Sequence, residues 1–465
     1  MSPHLGLMSD FYLKRLNAGV MLFTHGFYRN HQGGFVMHNS TVEKHKFGLF
    51  ALILFGINGI IGTGIFLLPG QVYQLVGNAG ILVAILDALL VLTIALSFAE
   101  ASSRFHENGG AFLYTKSAFG EFPGYLVGFM TYVIRIIAWS AMVAGLSTVL
   151  GVTFPVLNST FWQKLIPVIL IVALTILNLA GVQFVKVANS IATIAKLIPL
   201  ILFIAIGIFF FNADNLTPLV PAHTTVAHFG TAAVTLLYAF TGFETMTIAA
   251  EDYRNPAKNL PRALISAIVI VAIIYVSIIT ITNSILGQDL IGQQAPLQVA
   301  FGKIAGNLGM SLIAAGSIIS MLGIVIHASF ESPRSGQSMA QQGALPKPLA
   351  TLNHNGVPAR AIIITSILTL LLTLSGQFET LAQLSVVARF AQYIPTILAV
   401  IYFQLSKKGP AASIKLPLGP VIPMIAVVLS VWLLTQAEPA LLLFGLFGLL
   451  VATASYFITK ALLKR

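Results

Sequence analysis

Long apolar runs dominate this sequence. Cutting the 465-residue chain at its polar, glycine and proline clusters leaves about twelve such runs, each near the roughly 20 residues that an α-helix needs to cross a bilayer. We number them as spans 1 to 12: 47–73, 79–103, 122–151, 163–182, 188–211, 229–251, 261–286, 303–330, 357–375, 380–403, 417–436 and 438–460. One soluble core could not enclose so much apolar surface, because 57% of the residues are hydrophobic and only 8% are charged. The sequence therefore predicts an all-α polytopic membrane protein with about twelve transmembrane helices.

The basic residues fall almost entirely on one side of the predicted topology. When the loops between spans are assigned alternately to two sides, 20 of the 25 lysines and arginines lie on one side. Only Lys164 and Lys303 lie on the other side, and three more lie inside spans. Short cytoplasmic loops retain Lys and Arg. We therefore expect a cell-membrane protein with both termini cytoplasmic and residues 1–46 as a cytoplasmic tail, so the net charge of +11 requires no nucleic acid partner.

Several classes of chemistry are excluded by the residues that the sequence lacks. The chain has no cysteine, which rules out disulfides, thiolate metal sites and cysteine nucleophiles. It contains no HExxH, no Walker P-loop and no GxSxG motif, and its loops are too short for a catalytic domain. We therefore predict that the protein is not an enzyme and uses no cofactor or metal. Composition alone does not exclude a receptor or a pore.

The first span contains a glycine cluster at the depth of the bilayer. Four glycines fall within nine residues from Gly56 to Gly64, although each costs about 1 kcal/mol in a helix relative to alanine. One interpretation is close packing of helices through small residues. The other is local unwinding, which the consecutive residues Gly62, Thr63 and Gly64 favour because they do not repeat every fourth position. Amides and carbonyls freed there could bind a small zwitterion.

A similar interruption recurs five spans later. Span 6 contains Phe240-Thr241-Gly242-Phe243-Glu244, again a glycine beside a hydroxyl, now with a carboxylate. Corresponding interruptions in two halves point to a transporter built from inverted repeats, with the site between the interrupted helices. Irregular backbone at that depth must line a cavity or protein. We predict a 5+5 inverted repeat with helices 1 and 6 broken: residues 47–211 form one half, 229–403 the other, and 417–465 the last two helices and the C-terminal tail.

Five motifs in the same order support a family resemblance. They are Gly59-Ile60-Ile61-Gly62-Thr63-Gly64-Ile65-Phe66; Ala99 to Phe105 followed by Gly109 to Tyr114; Phe240 to Glu244; Glu251-Asp252-Tyr253-Arg254-Asn255-Pro256 continuing to Arg262; and Ser332-Pro333-Arg334 continuing to Gly343-Ala344-Leu345-Pro346. With them the sequence resembles the amino acid, polyamine and organocation transporter superfamily, whose members share the leucine-transporter fold. The resemblance covers residues 45 to 400.

The resemblance implies an amino acid or a related amine as substrate. It places the substrate carboxylate on exposed backbone of the first break, near the N-terminal dipole of a half-helix, and the amine on carbonyls of both breaks. The implied binding residues are Ile61, Gly62, Thr63, Gly64, Ile65, Phe240, Thr241, Gly242 and Phe243. Phe240 and Phe243 would cover the site or line its side-chain pocket, with a lipid-facing position as the alternative.

Lys196 is an ionisable residue inside span 5. One interpretation is that its side chain snorkels to the headgroups, although roughly 12 Å from Ala188 is near the limit of that reach. In proton-coupled relatives that use no sodium, the resemblance implies that a lysine here fills the place of a sodium ion against the first break. Desolvation disfavours the charged ammonium, so Lys196 would be the group that couples transport to a proton.

Five other spans carry charged or titratable side chains. Glu244 is a gating or proton-binding candidate, with a structural hydrogen bond as the alternative. Asp87 and Arg135 could pair with each other or face the cavity, and an arginine in the cavity would repel cationic substrates. We interpret Arg389 and His327 as structural.

These observations predict a secondary active transporter, or permease, that moves neutral amino acids across the bilayer by alternating access. Coupling would be by proton symport or by exchange, and the coupling or gating residues would be Lys196, Glu244 and Arg135. The alternative is a cationic amino acid or polyamine exchanger of the same fold.

Overall fold

The computed structural model describes residues 46–105, 107, 109–181, 185–222, 224–247, 253–343 and 345–463, with only the backbone for 185–195 and for the last two of these residues. The predicted N-terminal tail lies outside these residues except for Lys46. Three positions of the family motifs, Glu251, Asp252 and Ala344, also lie outside them.

Each predicted span overlaps a helix of the described chain. The α-helices are α1 (Leu49–Ile60), α2 (Gly64–Val76), α3 (Gly80–Arg104), α4 (Gly110–Phe119), α5 (Glu121–Thr153), α6 (Thr160–Leu179), α7 (Val185–Gly207), α8 (Val226–Leu237), α9 (Pro256–Leu286), α10 (Pro296–Gln341), α11 (Ala359–Ser375), α12 (Phe378–Ser406), α13 (Val421–Thr435) and α14 (Pro439–Leu463). The short helix α4 lies between spans 2 and 3 and was not predicted.

The distribution of apolar residues is that of a membrane protein. Seven helical stretches of the described chain are long and apolar enough to cross a membrane, and shorter apolar helices include α1, α8, α11 and α13. In the most apolar parts of α5 and α12, 72% of the residues are buried inside the protein, whereas in α6 and α14 only 11% are. Helices α5 and α12 are thus central, and α6 and α14 present apolar side chains outward, where lipid is their solvent. The predicted all-α polytopic membrane fold is confirmed.

Helix α10 is longer than span 8 predicted. Its backbone is non-helical at Ala305 and Gly306, where a short preceding helix joins it at a kink. At the other end the helix continues to Gln341, and Gly336 lies so close to Tyr132 of α5 that an added Cβ would be 2.6 Å from its ring. The prediction ended at residue 330 because the residues after it are polar. Packing on α5 carries the helix beyond that point.

Loops and helix ends that the charge pattern assigns to one side contact each other. At one end of the helices the amide of Arg254 donates to the carbonyl of Phe47 at 3.0 Å, and Asn355 donates to the carbonyl of Leu179 at 3.3 Å. At the other end the side chain of Asn78 donates to the carbonyl of Asn215 at 2.9 Å. The alternating assignment of loops therefore agrees with the fold.

Candidate functional site

The first helix is interrupted at the glycine cluster. Helix α1 ends at Ile60 and α2 begins at Gly64, so residues 61–63 lie between the two helices, although the amide of Ile61 still donates to the carbonyl of Ile57 at 2.9 Å. The Tyr275 hydroxyl donates to the carbonyl of Ile60 at 3.4 Å. Thr63 is fully buried, and its hydroxyl lies 3.2 Å from the hydroxyl of Tyr238.

Lys196 reaches this break from α7. Its side chain is fully buried, and Nζ donates to the carbonyl of Asn58 at 2.8 Å and to that of Ile61 at 2.9 Å. The alternative of a side chain snorkelling to the headgroups is therefore wrong. A single ammonium connects the end of α1 and the break to α7.

The chain is interrupted a second time after α8. A 3-10 turn covers Tyr238–Phe240, Thr241 and Gly242 are irregular, and another 3-10 turn covers Phe243–Thr247. Gly242 has a φ of +109°, and a Cβ added there would lie 2.3 Å from the carbonyl oxygen of Gly59. Only glycine satisfies both constraints. The two breaks thus meet through their backbones.

Glu244 is anchored next to the second break. Its carboxylate forms an ion pair with Arg389 and accepts hydrogen bonds from the amide of Gly242 and the hydroxyl of Tyr393, each at 3.0 Å. All of these groups are buried. The arrangement ties the second break to α12 and gives Arg389 an ionic partner.

Phe240 and Phe243 are both buried, so the lipid-facing alternative for these residues is wrong. Phe240 packs edge-on against Tyr275 at 5.0 Å between ring centroids, and Phe243 stacks on Tyr393 at 5.5 Å. Neither ring lies on the wall of the cavity described below.

Arg135 pairs with a residue that the sequence analysis did not single out. Its Nη1 lies 2.8 Å from Oε1 of Glu331 on α10, and Nε2 of His327 lies 3.3 Å from Oε2 of the same carboxylate. The alternative of an Arg135–Asp87 pair is wrong: both carboxylate oxygens of Asp87 are buried without a hydrogen-bond partner in the described chain. Glu331 was missed because it follows the last residue of span 8, although its spacing of four residues from His327 places the two on one helix face.

A cavity of about 90 Å³ lies between the two breaks. We call it the central cavity. Such a volume holds several water molecules. Its wall includes Ile61, Gly62, Gly64, Thr241 and Gly242 from the breaks, and Lys196, Arg135, Arg389, Glu331 and His327 from the surrounding helices. Trp139 of α5 also lies on this wall, fully buried, with no partner for its indole N–H among the described residues. Thr63 and Ile65 are buried behind it.

The sequence matches a known family over most of its length. A profile described as amino acid permease matches residues 47–458. The chain belongs to the amino acid permease family. The predicted superfamily is thereby confirmed, and membership supports a transporter. The permease also has curated relatives that extend over most of its length.

One relative is an uncharacterized transporter of Mycobacterium tuberculosis, 32% identical to the permease over 84% of this chain and 87% of its own. The branched-chain amino acid permease BcaP of Bacillus subtilis is 26% identical over 89% of this chain and 93% of its own. The serine/threonine exchanger SteT of the same organism is 27% identical over 84% of this chain and 90% of its own.

Proposed function

We propose that this permease transports neutral amino acids by alternating access and that Lys196 couples the transport to protons. The observation that carries the proposal is the position of Nζ, 2.8 and 2.9 Å from two carbonyls at the first break and on the wall of the central cavity. In this arrangement a change of protonation acts directly on the segment that would bind the substrate.

The central cavity suits the two charged ends of an amino acid. At the start of α2 the amide of Phe66 donates to the carbonyl of Thr63 at 3.2 Å. The amides of Gly64 and Ile65 precede the first helical acceptor, and the positive end of the helix dipole favours a carboxylate there. Gly62 leaves that approach open, because the nearest atom to an added Cβ would be the carbonyl oxygen of Ile60 at 3.8 Å. Carbonyls beside Thr241 and Gly242 offer acceptors for the ammonium. This supports binding at Ile61, Gly62 and Gly64 on one side and at the second break on the other.

The charges on the cavity wall favour neutral side chains. Arg135 and Arg389 on the wall are paired with Glu331 and Glu244, so a protonated Lys196 leaves a surplus of one positive charge. A cationic side chain would meet this surplus of like charge. The relatives BcaP and SteT are named for branched-chain amino acids and for serine and threonine, which are neutral. If the protein were a cationic amino acid or polyamine exchanger, Glu331 would have to release Arg135 and bind the cationic substrate in its place.

Proton coupling follows from the link between α7 and the first break. A protonated Lys196 holds the carbonyls of Asn58 and Ile61 with charge-assisted hydrogen bonds, which are stronger than those of a neutral amine. Loss of the proton weakens this link, so the two forms favour different positions of α1. A proton gradient then biases the conformational cycle by the difference between them. Glu244 would act in gating, because its ion pair with Arg389 connects the second break to α12.

The proposed cycle uses two repeats, residues 47–211 and 229–403, in a cell membrane with both termini cytoplasmic. The location of the two breaks one in each half supports this division. The decisive experiment is counterflow in proteoliposomes with each of the twenty amino acids as competitor against labelled L-leucine and L-serine. Saturable counterflow that neutral amino acids inhibit and arginine, lysine and putrescine do not is the expected result. Flux without saturation would indicate a pore and overturn the proposal.

A further inference from the structure

A second cavity of about 180 Å³ adjoins the central one. Its wall includes Arg135 and Glu331, which also line the central cavity, and Arg334, Ser335 and Ser338 of α10. Beyond Ser338, α10 ends at Gln341 and leads to the loop with Lys347, which the charge pattern assigns to the cytoplasm. The second cavity therefore lies on the proposed path between the central cavity and the cytoplasm.

Two ion pairs separate the cavities. The Arg135–Glu331 pair, 2.8 Å apart, belongs to both walls. In the second pair, Arg389 faces the central cavity and Glu244 the second one. An amino acid that leaves the central cavity in this direction passes between these charged groups. The polar groups that it meets next, in the second cavity, would therefore affect its release.

The second cavity presents opposite charges on one helix face. Glu331 and Arg334 are three residues apart on α10, which is about 4.5 Å along its axis. They do not pair with each other: Glu331 holds Arg135 and His327, whereas Arg334 donates to the carbonyl of Phe330 at 3.0 Å and lies over that ring. Within the described chain no carboxylate lies within ion-pair distance of Arg334.

We propose that the second cavity is a release site for the zwitterionic amino acid. The guanidinium of Arg334 takes the α-carboxylate, for which its paired N–H donors are suited. Oε2 of Glu331 takes the ammonium in place of His327, the more distant of its two partners at 3.3 Å. Both charged ends of the substrate thus pass from backbone groups of the central cavity to charged side chains of the second cavity. The proposal rests on the proposed function, since it requires an amino acid as substrate.

The first test compares the two faces of the membrane. We expect Arg334→Gln to raise KM for L-leucine or L-serine roughly tenfold or more in inside-out vesicles, because a charge-assisted hydrogen bond is lost, and to change KM in intact cells by a clearly smaller factor. Arg334→Lys, which keeps the charge, should restore part of the affinity. Equal KM changes on both faces would indicate a general disturbance of the fold. An unchanged KM on both faces would indicate that Arg334 contacts lipid headgroups and not the substrate. Either result overturns the release site.

The second test uses the absence of native cysteine. Ser338→Cys, combined with Gly62→Val to block the central cavity, is treated with an impermeant thiol reagent in inside-out vesicles. L-leucine or L-serine should slow labelling even in this combination, and isoamylamine, which lacks the carboxylate, should not. If Gly62→Val removes the protection, the protection came from the central cavity and the release site is wrong.

The two proposals fail in different ways. If the unmodified chain transports none of the twenty amino acids, the proposed function is overturned and the release site with it. If the unmodified chain transports a neutral amino acid but position 338 is never protected, the release site alone is overturned.

Discussion

Lys196 is the residue on which the proposed coupling depends. A charge at bilayer depth costs roughly 2.5 to 3.5 kcal/mol on insertion scales, and here two carbonyls at 2.8 and 2.9 Å offset that cost. We expect Lys196→Met to abolish accumulation driven by a proton gradient and to flatten the pH dependence of uptake, because the link to the first break no longer responds to a proton. Counterflow should persist. Initial rates in proteoliposomes at a series of external pH values measure both effects.

Lys303 provides the matched control for this substitution. It is half-exposed and pairs with exposed Asp289 at 2.6 Å, and exposed ion pairs contribute at most about 1 kcal/mol. Lys303→Met should therefore retain the pH dependence. If Lys196→Met itself accumulates substrate with normal pH dependence, Lys196 only packs α7 against the break, and the coupling role passes to Glu244.

The glycines of the first break differ in what they do. A Cβ at Gly62 would make only an ordinary contact, 3.8 Å from the carbonyl oxygen of Ile60, whereas a Cβ at Gly64 would lie 2.8 Å from the Cα of Ala239. We expect Gly62→Val to reach the membrane at normal levels and to lose uptake at least tenfold, because the side chain fills the approach to the amides. Gly64→Ala should instead lower the melting temperature, since the backbones of α2 and the second break must separate. Uptake and thermal unfolding in detergent, measured for both variants, distinguish the cavity wall from the packing contact.

A normal rate of uptake by Gly62→Val would show that the carboxylate does not bind at this break. The structure also changes the reason for expecting an effect. Gly62 does not have a positive φ, so space in the cavity, and not backbone conformation, is what favours glycine here.

Sequence alone could identify residues that are unusual where they stand, but not their partners. Lys196 and Gly62 are recognisable because a charge and a glycine cluster are costly inside an apolar helix. The partner of Arg135 could not be read, because pairing with Glu331 depends on how α5 and α10 lie side by side. The burial of Phe240 and Phe243 is likewise a result of packing against Tyr275 and Tyr393.

At the scale of elements, the approach of the two breaks is the feature that can be tested most directly. Gly242→Ala places a methyl group 2.3 Å from the carbonyl oxygen of Gly59, at a φ of +109°. We expect it to destabilise the permease by about 1 to 3 kcal/mol and to reduce transport. Gly59→Ala is the matched control on the opposite side, because its Cβ would make an ordinary 3.5 Å contact with the carbonyl oxygen of Gly242.

Thermal unfolding in detergent compares these two variants. A similar stability for both would mean that the breaks do not depend on this contact. The positions of the breaks could be predicted because glycine and hydroxyl residues interrupt apolar runs locally. The extension of α10 to Gln341 could not, since the residues after 330 are polar, and α4 could not, because its ten residues are too few for a span.

At the scale of the whole molecule, the distribution of basic residues agrees with the contacts between loops. Arg254 contacts Phe47, and Arg104 donates to the carbonyl of Pro410 at 2.9 Å. The three loops involved and the N-terminal end of span 1 are all assigned to the basic side. Sequence could predict this grouping because the number of lysines and arginines is summed over all loops of one side. Errors of a few residues at individual helix ends change that sum little.

Which end faces the cytoplasm is a prediction that single cysteines can test. The native chain has no cysteine, so each introduced thiol is the only site of labelling. We expect Lys408→Cys to be labelled by an impermeant reagent in inside-out vesicles and not in intact cells, and Asp289→Cys to show the opposite pattern. Both positions are exposed, and both lie in loops outside the helices that line the central cavity. Labelling of position 408 from outside intact cells would reverse the orientation, and the second cavity would then face the outside and serve entry instead of release.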